Sequence, residues 1–253
     1  VTMAWSIRAV DAVPWVEQQK LLASDGAGGD HFGNSVSVSG TTALVGALGD
    51  DDCGSASGSA YVFEDNGTAW VEVAKLTASD GALMDQFSRS VSVSGTTALI
   101  GAYTDDDCGS SSGSAYVFEK GVSGWSEVAK LTASDGAADD WFGLSVSVSG
   151  TTALIGAYRG DDCGNSSGSA YVFEDNGTAW VQVAKLLPSD SAALDYFGYS
   201  VSVSGTTALV GAYADDDCGS GSGSAYVFED NGTAWVQVAK LTPSDGAGSD
   251  FFG

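Results

Sequence analysis

Histidine is almost missing from this chain: His31 stands alone among 253 residues. No two cysteines are spaced as Cys-x-x-Cys, so Cys53, Cys108, Cys163 and Cys218 do not form a zinc-ligand pattern. Basic residues are scarce as well, 9 against 33 acidic ones, for a formal charge of −24. Phosphate binding needs a positive field, so nucleic acid is not an expected partner. The charge suits cations, basic partners or a salty medium, and it keeps a β-rich protein soluble. No apolar run approaches the roughly 18 residues of a membrane helix, so no membrane span is expected. No stretch carries the 3.6-residue periodicity of a helix. Residues 1–13 hold Arg8 and Asp11 and lack a long apolar core, which does not read as a signal peptide.

What is present is repetition. Trp15, Trp70, Trp125, Trp180 and Trp235 are 55 residues apart each time, and so are Phe32, Phe87, Phe142, Phe197 and Phe252. The four cysteines keep the same interval. An unbroken period of this length means one supersecondary unit copied in tandem, each copy burying its faces against its neighbours.

Each unit holds four strand candidates. In the first copy, 34–40 alternates Val with Ser, 41–47 is a continuous run of small and apolar residues, 58–65 is rich in β-branched and aromatic residues, and 69–76 alternates again. Ser39-Gly40-Thr41 makes a tight turn, and Asn66-Gly67 suits the positive φ of a type I′ hairpin turn. Four antiparallel strands, repeated, predict an all-β fold, a β-propeller of four-stranded blades. Small residues such as Ser35, Ser37, Gly46 and Ala47 fit the crowded axis, while Tyr61, Phe63 and Trp70 fill the wider outer gap. A β-solenoid is the alternative, but its coils usually need a shorter repeat and lack hairpin turns. The predicted layout is an N-terminal segment over 1–13, then a propeller over 14–253. Within it lie a lone outer strand at 14–21, blades at about 34–76, 89–131, 144–186 and 199–241, and the start of a fifth unit at 242–253.

The motif Phe32-Gly33 followed by Val45-Gly46-Ala47 resembles the FG-GAP repeat of integrin α-subunit propellers, and most closely the bacterial type. The likeness covers essentially 14–253. It departs at Ser88, which replaces the glycine of the second Phe-Gly, and no proline follows Gly-Ala. The resemblance implies a propeller, an extracellular or cell-surface setting, calcium in some members, and adhesion or binding rather than chemistry.

Several residue sets are candidates for a site. Asp50 and Asp52, with Asp105 and Asp107, Asp161 and Asp162, and Asp215 and Asp217, lie in glycine-rich acidic loops of the kind that bind Ca²⁺. They lack the full Asp-x-Asp-x-Asp-Gly with a distal Glu, and the alternative is a turn whose aspartates accept backbone N–H bonds. For Asp25 and Asp30 and their copies, pinning of the interblade loop is the favoured role. The cysteines fall at equivalent points around one face, a blade apart, beyond the roughly 7 Å reach of a disulfide. Free thiols or disulfides between chains are the two readings.

A catalytic site is not expected, because His31 occurs in one copy only and acids repeated in every blade read as structure. The copies differ at His31, Gln86, Trp141, Tyr196 and Phe251, at Asn34, Arg89, Leu144 and Tyr199, and at Leu48, Tyr103, Tyr158 and Tyr213. From these sets, Tyr103, Trp141, Tyr158, Tyr196 and Tyr213 are the candidate partner-binding residues, with drift at tolerant loop positions as the alternative.

The expected function is a non-enzymatic binding, adhesion or assembly module, with a protein, a glycan or copies of itself as partner. The alternatives are a Ca²⁺-dependent lectin-like propeller or the non-catalytic propeller of a larger enzyme. Because the terminal strand at 14–21 duplicates the last one, chains are expected to associate as a homo-oligomer or to be part of a longer ring.

Overall fold

The computed structural model describes residues 16–253 and contains only β-strands as regular elements among them. They form four antiparallel meanders. Blade 1 comprises β1 (Phe32–Ser39), β2 (Thr42–Ala47), β3 (Ser59–Asp65) and β4 (Trp70–Leu76), and blade 2 comprises β5 (Ser90–Ser94), β6 (Thr97–Ala102), β7 (Ser114–Gly121) and β8 (Gly124–Leu131). Blade 3 comprises β9 (Phe142–Ser149), β10 (Thr152–Ala157), β11 (Ser169–Asp175) and β12 (Trp180–Leu186), and blade 4 comprises β13 (Phe197–Ser204), β14 (Thr207–Ala212), β15 (Ser224–Asp230) and β16 (Trp235–Leu241). No helix among the described residues is long and apolar enough to cross a membrane.

The turns follow from short polar side chains. Gly40 takes the left-handed conformation, φ 57°, between β1 and β2. Between β3 and β4 the loop is four residues long rather than a two-residue I′ turn. Only Gly67 has positive φ there, because the Asn66 side-chain oxygen accepts from Thr68 N (3.0 Å) and Ala69 N (3.1 Å) and holds the chain in an Asx turn.

The alternation of Val and Ser in the first strand of each unit has a specific use. In blades 2 to 4 the valines pack toward the core, and the serine hydroxyls of blades 1 to 3 accept backbone N–H groups from the next blade. Val91 N and Val93 N each lie 3.0 Å from Ser35 Oγ and Ser37 Oγ, and Gly95 N lies 3.1 Å from Ser39 Oγ. The same bonds recur from Val148 to Ser92 and from Val203 to Ser147. Backbones also close in at the glycine of each second strand. A Cβ on Gly101 would stand 1.9 Å from Gly143 O, so no larger residue fits without moving a blade.

The core is three slabs, one per seam, and a smaller fourth cluster on blade 1. Leu44, Val62 and Leu76 of blade 1 pack on Phe87, Val91, Ile100, Tyr116 and Phe118 of blade 2, and the next two seams repeat this. No such cluster joins blade 4 to blade 1 among the described residues. Parts of the two outward faces are accordingly bare: Val38 is 67% exposed where Val93 is 6%, and Leu241 is 41% exposed where Leu186 is 2%, whereas Val45, Tyr61 and Phe63 on the outward face of blade 1 are buried against Leu21 and Ala23 of the connector.

Two expectations need correcting or narrowing. Of the outer strand expected at 14–21, residues 14 and 15 lie outside the described residues, and 16–21 join no sheet. No third strand of a preceding blade is among the described residues to pair with them, and the Gln19 side chain instead meets the edge of β4, bonding Trp70 N and Trp70 O at 2.8 Å each. The start of the fifth unit docks on blade 4 in the register of the earlier units. Phe252 bridges Gly223 as Phe197 bridges Gly168, but it is 39% exposed, because no further blade supplies the tyrosine and phenylalanine that cover Phe197.

Candidate functional site

Each unit brings two loops together on one face: the acidic loop between its second and third strands, and the connector that leads in from the preceding blade. Two structures arise there, an acid cage and an aromatic arc.

The cage forms around a lysine from the fourth strand. Lys75 Nζ lies 2.7 Å from Asp25, 3.1 Å from Asp50 and 2.5 Å from Asp52. Tyr61 is fully buried beneath, its hydroxyl 2.7 Å from Asp25 and 3.0 Å from Asp50. Asp50 Oδ1 takes the Ser59 hydroxyl (2.9 Å) and Asp52 N (3.2 Å). Burial pushes the Asp50 carboxyl up, but the bonds from Lys75, Ser59 and Tyr61 outweigh it and hold the group below the usual carboxylate range. The lysine itself is driven higher than usual, its desolvation being overcome by the surrounding acids. Lys130 sits in the same way among Asp80, Asp105 and Asp107, and Lys240 among Asp190, Asp215 and Asp217.

Blade 3 differs. Gly160 replaces the first aspartate, and Asp162 takes over, meeting Lys185 at 2.5 Å with Asp135 at 2.6 Å. Asp161 stays out of the cage and accepts Ser166 N at 2.7 Å, as Asp51, Asp106 and Asp216 accept the equivalent amides. The structure therefore brings together every predicted acid except Asp161. Asp25 and its copies pin the interblade loop by way of lysine and tyrosine. Asp30, Asp85, Asp140 and Asp195 accept an amide three residues back, as with Ala82 N on Asp85 at 2.6 Å. The carboxylates of Asp190, Asp215 and Asp217 approach within 4.8 Å of one another, but an ammonium stands among them. That donor set does not fit calcium, which asks for six to eight oxygens and no cation in their midst.

The arc runs along the same face. Ring centroids step from Tyr103 to Trp141 (5.0 Å), Tyr158 (5.5 Å), Tyr196 (5.6 Å), Tyr213 (5.2 Å) and Phe251 (5.9 Å). Tyr199 adds to it, 4.5 Å from Tyr213, and the Arg159 guanidinium lies 4.5 Å over Trp141. All five predicted partner-binding residues are thus in one contiguous strip. Burial pushes the Tyr158 hydroxyl up to about 12, against the pull of Arg159, so it is a neutral donor at ordinary pH. Trp141, Tyr196 and Phe251 occupy the left-handed region at φ 58°, 56° and 53°. That conformation costs a bulky residue on the order of 1 kcal/mol or more. The loops fold back on each other to hold it, with Trp141 N donating to Ser111 O at 3.2 Å and Tyr196 N to Ser166 O at 3.2 Å.

Clefts open between successive members of this position. One of about 320 Å³ lies between Tyr196 and Phe251 with Asp216 on its wall, and one of about 350 Å³ lies between His31 and Gln86 with Asp51. The four cysteines sit in the acidic loops, exposed and free.

Sequence reasoning missed the lysines and Arg159. A signal for the lysines existed: Ala-Lys-Leu closes every unit of a chain that has only 9 basic residues. Nothing in the spacing marks Arg159.

A family model described as the FG-GAP repeat matches residues 15–63, 70–118, 125–173, 180–228 and 235–253. No curated protein matches the chain. Among solved structures, a "putative 6-phosphogluconolactonase" from Bacteroides uniformis ATCC 8492 is similar with a TM-score of 0.55 and 11% identity. The match covers 84% of this chain and 57% of that one, a likeness of fold alone.

Proposed function

The chain belongs to the FG-GAP repeat family, and from that premise we propose that it is a non-enzymatic binding module that holds a macromolecular partner along the aromatic arc. The observation that carries this reading is the continuity of Tyr103, Trp141, Tyr158, Tyr196, Tyr213 and Phe251 along one face from blade 2 to the start of the fifth unit. Aromatic side chains give large contact areas at low conformational cost and dominate binding hot spots. Trp141, Tyr196 and Phe251 share their left-handed backbone with His31 and Gln86, so the connector imposes the conformation in every unit and it is the choice of side chain there that differs from blade to blade. Acidic clefts beside the rings, in a chain of net charge −24, favour a basic protein segment as the partner. The setting we propose is extracellular or cell-surface, where repeats of this family are typical.

The test is to probe a library of Lys/Arg-rich peptides and a glycan array with wild type and with the Trp141→Ala/Tyr196→Ala double variant. Peptide binding that falls at least about tenfold in the variant, and weakens with salt, is the expected result. Peptide binding indifferent to both residues overturns the reading, and signal on glycans alone replaces it with a lectin. Self-association is a second reading, favoured by exposed Val36 and Val38 on blade 1 and Leu209 and Leu241 on blade 4, whose counterparts Val91, Val93, Leu154 and Leu186 are buried at the seams.

A further inference from the structure

The acidic loops are not explained by the arc. Their carboxylates are the ones that the sequence offers to calcium, and in every blade they already surround a cation. Lys130 is typical: its ammonium lies 2.7 Å from Asp80, 3.1 Å from Asp105 and 2.5 Å from Asp107, and 5.1 Å from the centre of the Tyr116 ring. A divalent ion entering this space meets a positive charge at contact distance, or has to expel it. The carboxylates also have little coordinating capacity left. The tyrosine hydroxyl stands between Asp80 and Asp105, and the second oxygen of Asp105 takes Ser114 and Asp107 N.

We infer that the lysine is the resident cation of each blade, occupying the position calcium would need and keeping the acidic loops closed to divalent metal. Two independent features agree. First, basic residues are rare in this chain, 9 in all, yet Lys75, Lys130, Lys185 and Lys240 are all spent on these cages. Second, blade 3 loses the Asp-x-Asp spacing at Gly160 but keeps the cage, because Asp162 moves in beside Asp135 to hold Lys185. What is common to the four blades is the pairing of lysine with acids, not the spacing of a calcium loop. It follows that a single substitution opens the site: without the ammonium, three carboxylates converge on an unshielded centre.

The experiment is a calorimetric titration of chelator-treated full chain with CaCl₂, with MgCl₂ as the ionic-strength control. Wild type is expected to show no saturable heat and a melting midpoint that moves by less than about 1 °C at millimolar Ca²⁺. Lys130→Met, which keeps an apolar stem over Tyr116, is expected to melt lower, to take up about one Ca²⁺ per chain, and to regain part of its midpoint with Ca²⁺. Saturable uptake by wild type overturns the inference, and so does a folded Lys130→Met that takes up none. Should Lys130→Met fail to fold, Lys240→Met in the less enclosed blade 4 gives the same readout, and the wild-type titration stands without any variant.

Discussion

The same five letters, Ser-Val-Ser-Val-Ser, are core in one place and surface in another. In β5 the two valines are Val91 and Val93, 7% and 6% exposed beneath the serines of blade 1. In β1 they are Val36 and Val38, 68% and 67% exposed, with no blade against them. Local sequence, strand type and register are alike in the two blades. The difference teaches that a unit of this fold does not own its core. Half of each slab belongs to the neighbour, so burial is a property of the seam rather than of the repeat.

The largest test of that comparison is at a seam. Ile100→Ala empties a fully buried position between blades 1 and 2 and should cost about 2–5 kcal/mol in chemical denaturation. A loss below about 1 kcal/mol would mean that the seams contribute less than their burial implies. Acid should weaken every blade next. Asp50 and Asp215 are depressed in the folded protein, so their contribution is complete above the ordinary carboxylate value of about 3.9 and is lost as pH falls through their lower folded values. Asp85, Asp140 and Asp195 work the other way: burial raises them, so they cost stability at neutral pH and that cost is relieved as pH falls through their folded values toward about 4. Melting midpoints should therefore change little down to about pH 5 and fall steeply below about 4; a steep fall centred near pH 6 contradicts the cage as the source. The smallest effect is expected at the bare face. Val38→Ser should change stability by less than about 0.5 kcal/mol in dilute monomer, whereas Val93→Ser costs several times that. If Val38→Ser also lowers the molecular mass seen by light scattering, that face is covered by another copy in solution.

Much of this architecture was legible in the sequence, because its signals are local. Period-two alternation marked the first and fourth strands, and glycines marked the turns. For the acidic loop the sequence offered two contents, a cation site and a turn of aspartates that accept backbone N–H groups, and the lysine was in neither: Lys75 lies 25 residues beyond Asp50, and the third acid, Asp25, lies 50 residues before that lysine. No local pattern expresses a contact of that separation. The aromatic positions were visible as copy-to-copy differences, but that they form one strip depends on the turn from blade to blade. Residues 16–21 of the strand expected at 14–21 join no sheet for a related reason: the third strand of a preceding blade is not among the described residues, and Gln19 meets β4 through its side chain instead.

The serine hydroxyls that join neighbouring inner strands bear on how such a gene can change. Two of these bonds recur at the same offset in all three seams, so one blade fits behind another by the same contacts. Recombination between copies can then add or remove a whole blade and leave every remaining joint chemically intact. Loss or gain of a single residue within a unit would instead put valines where hydroxyls belong. Lineages of this chain should therefore vary in number of copies long before they vary in the length of one.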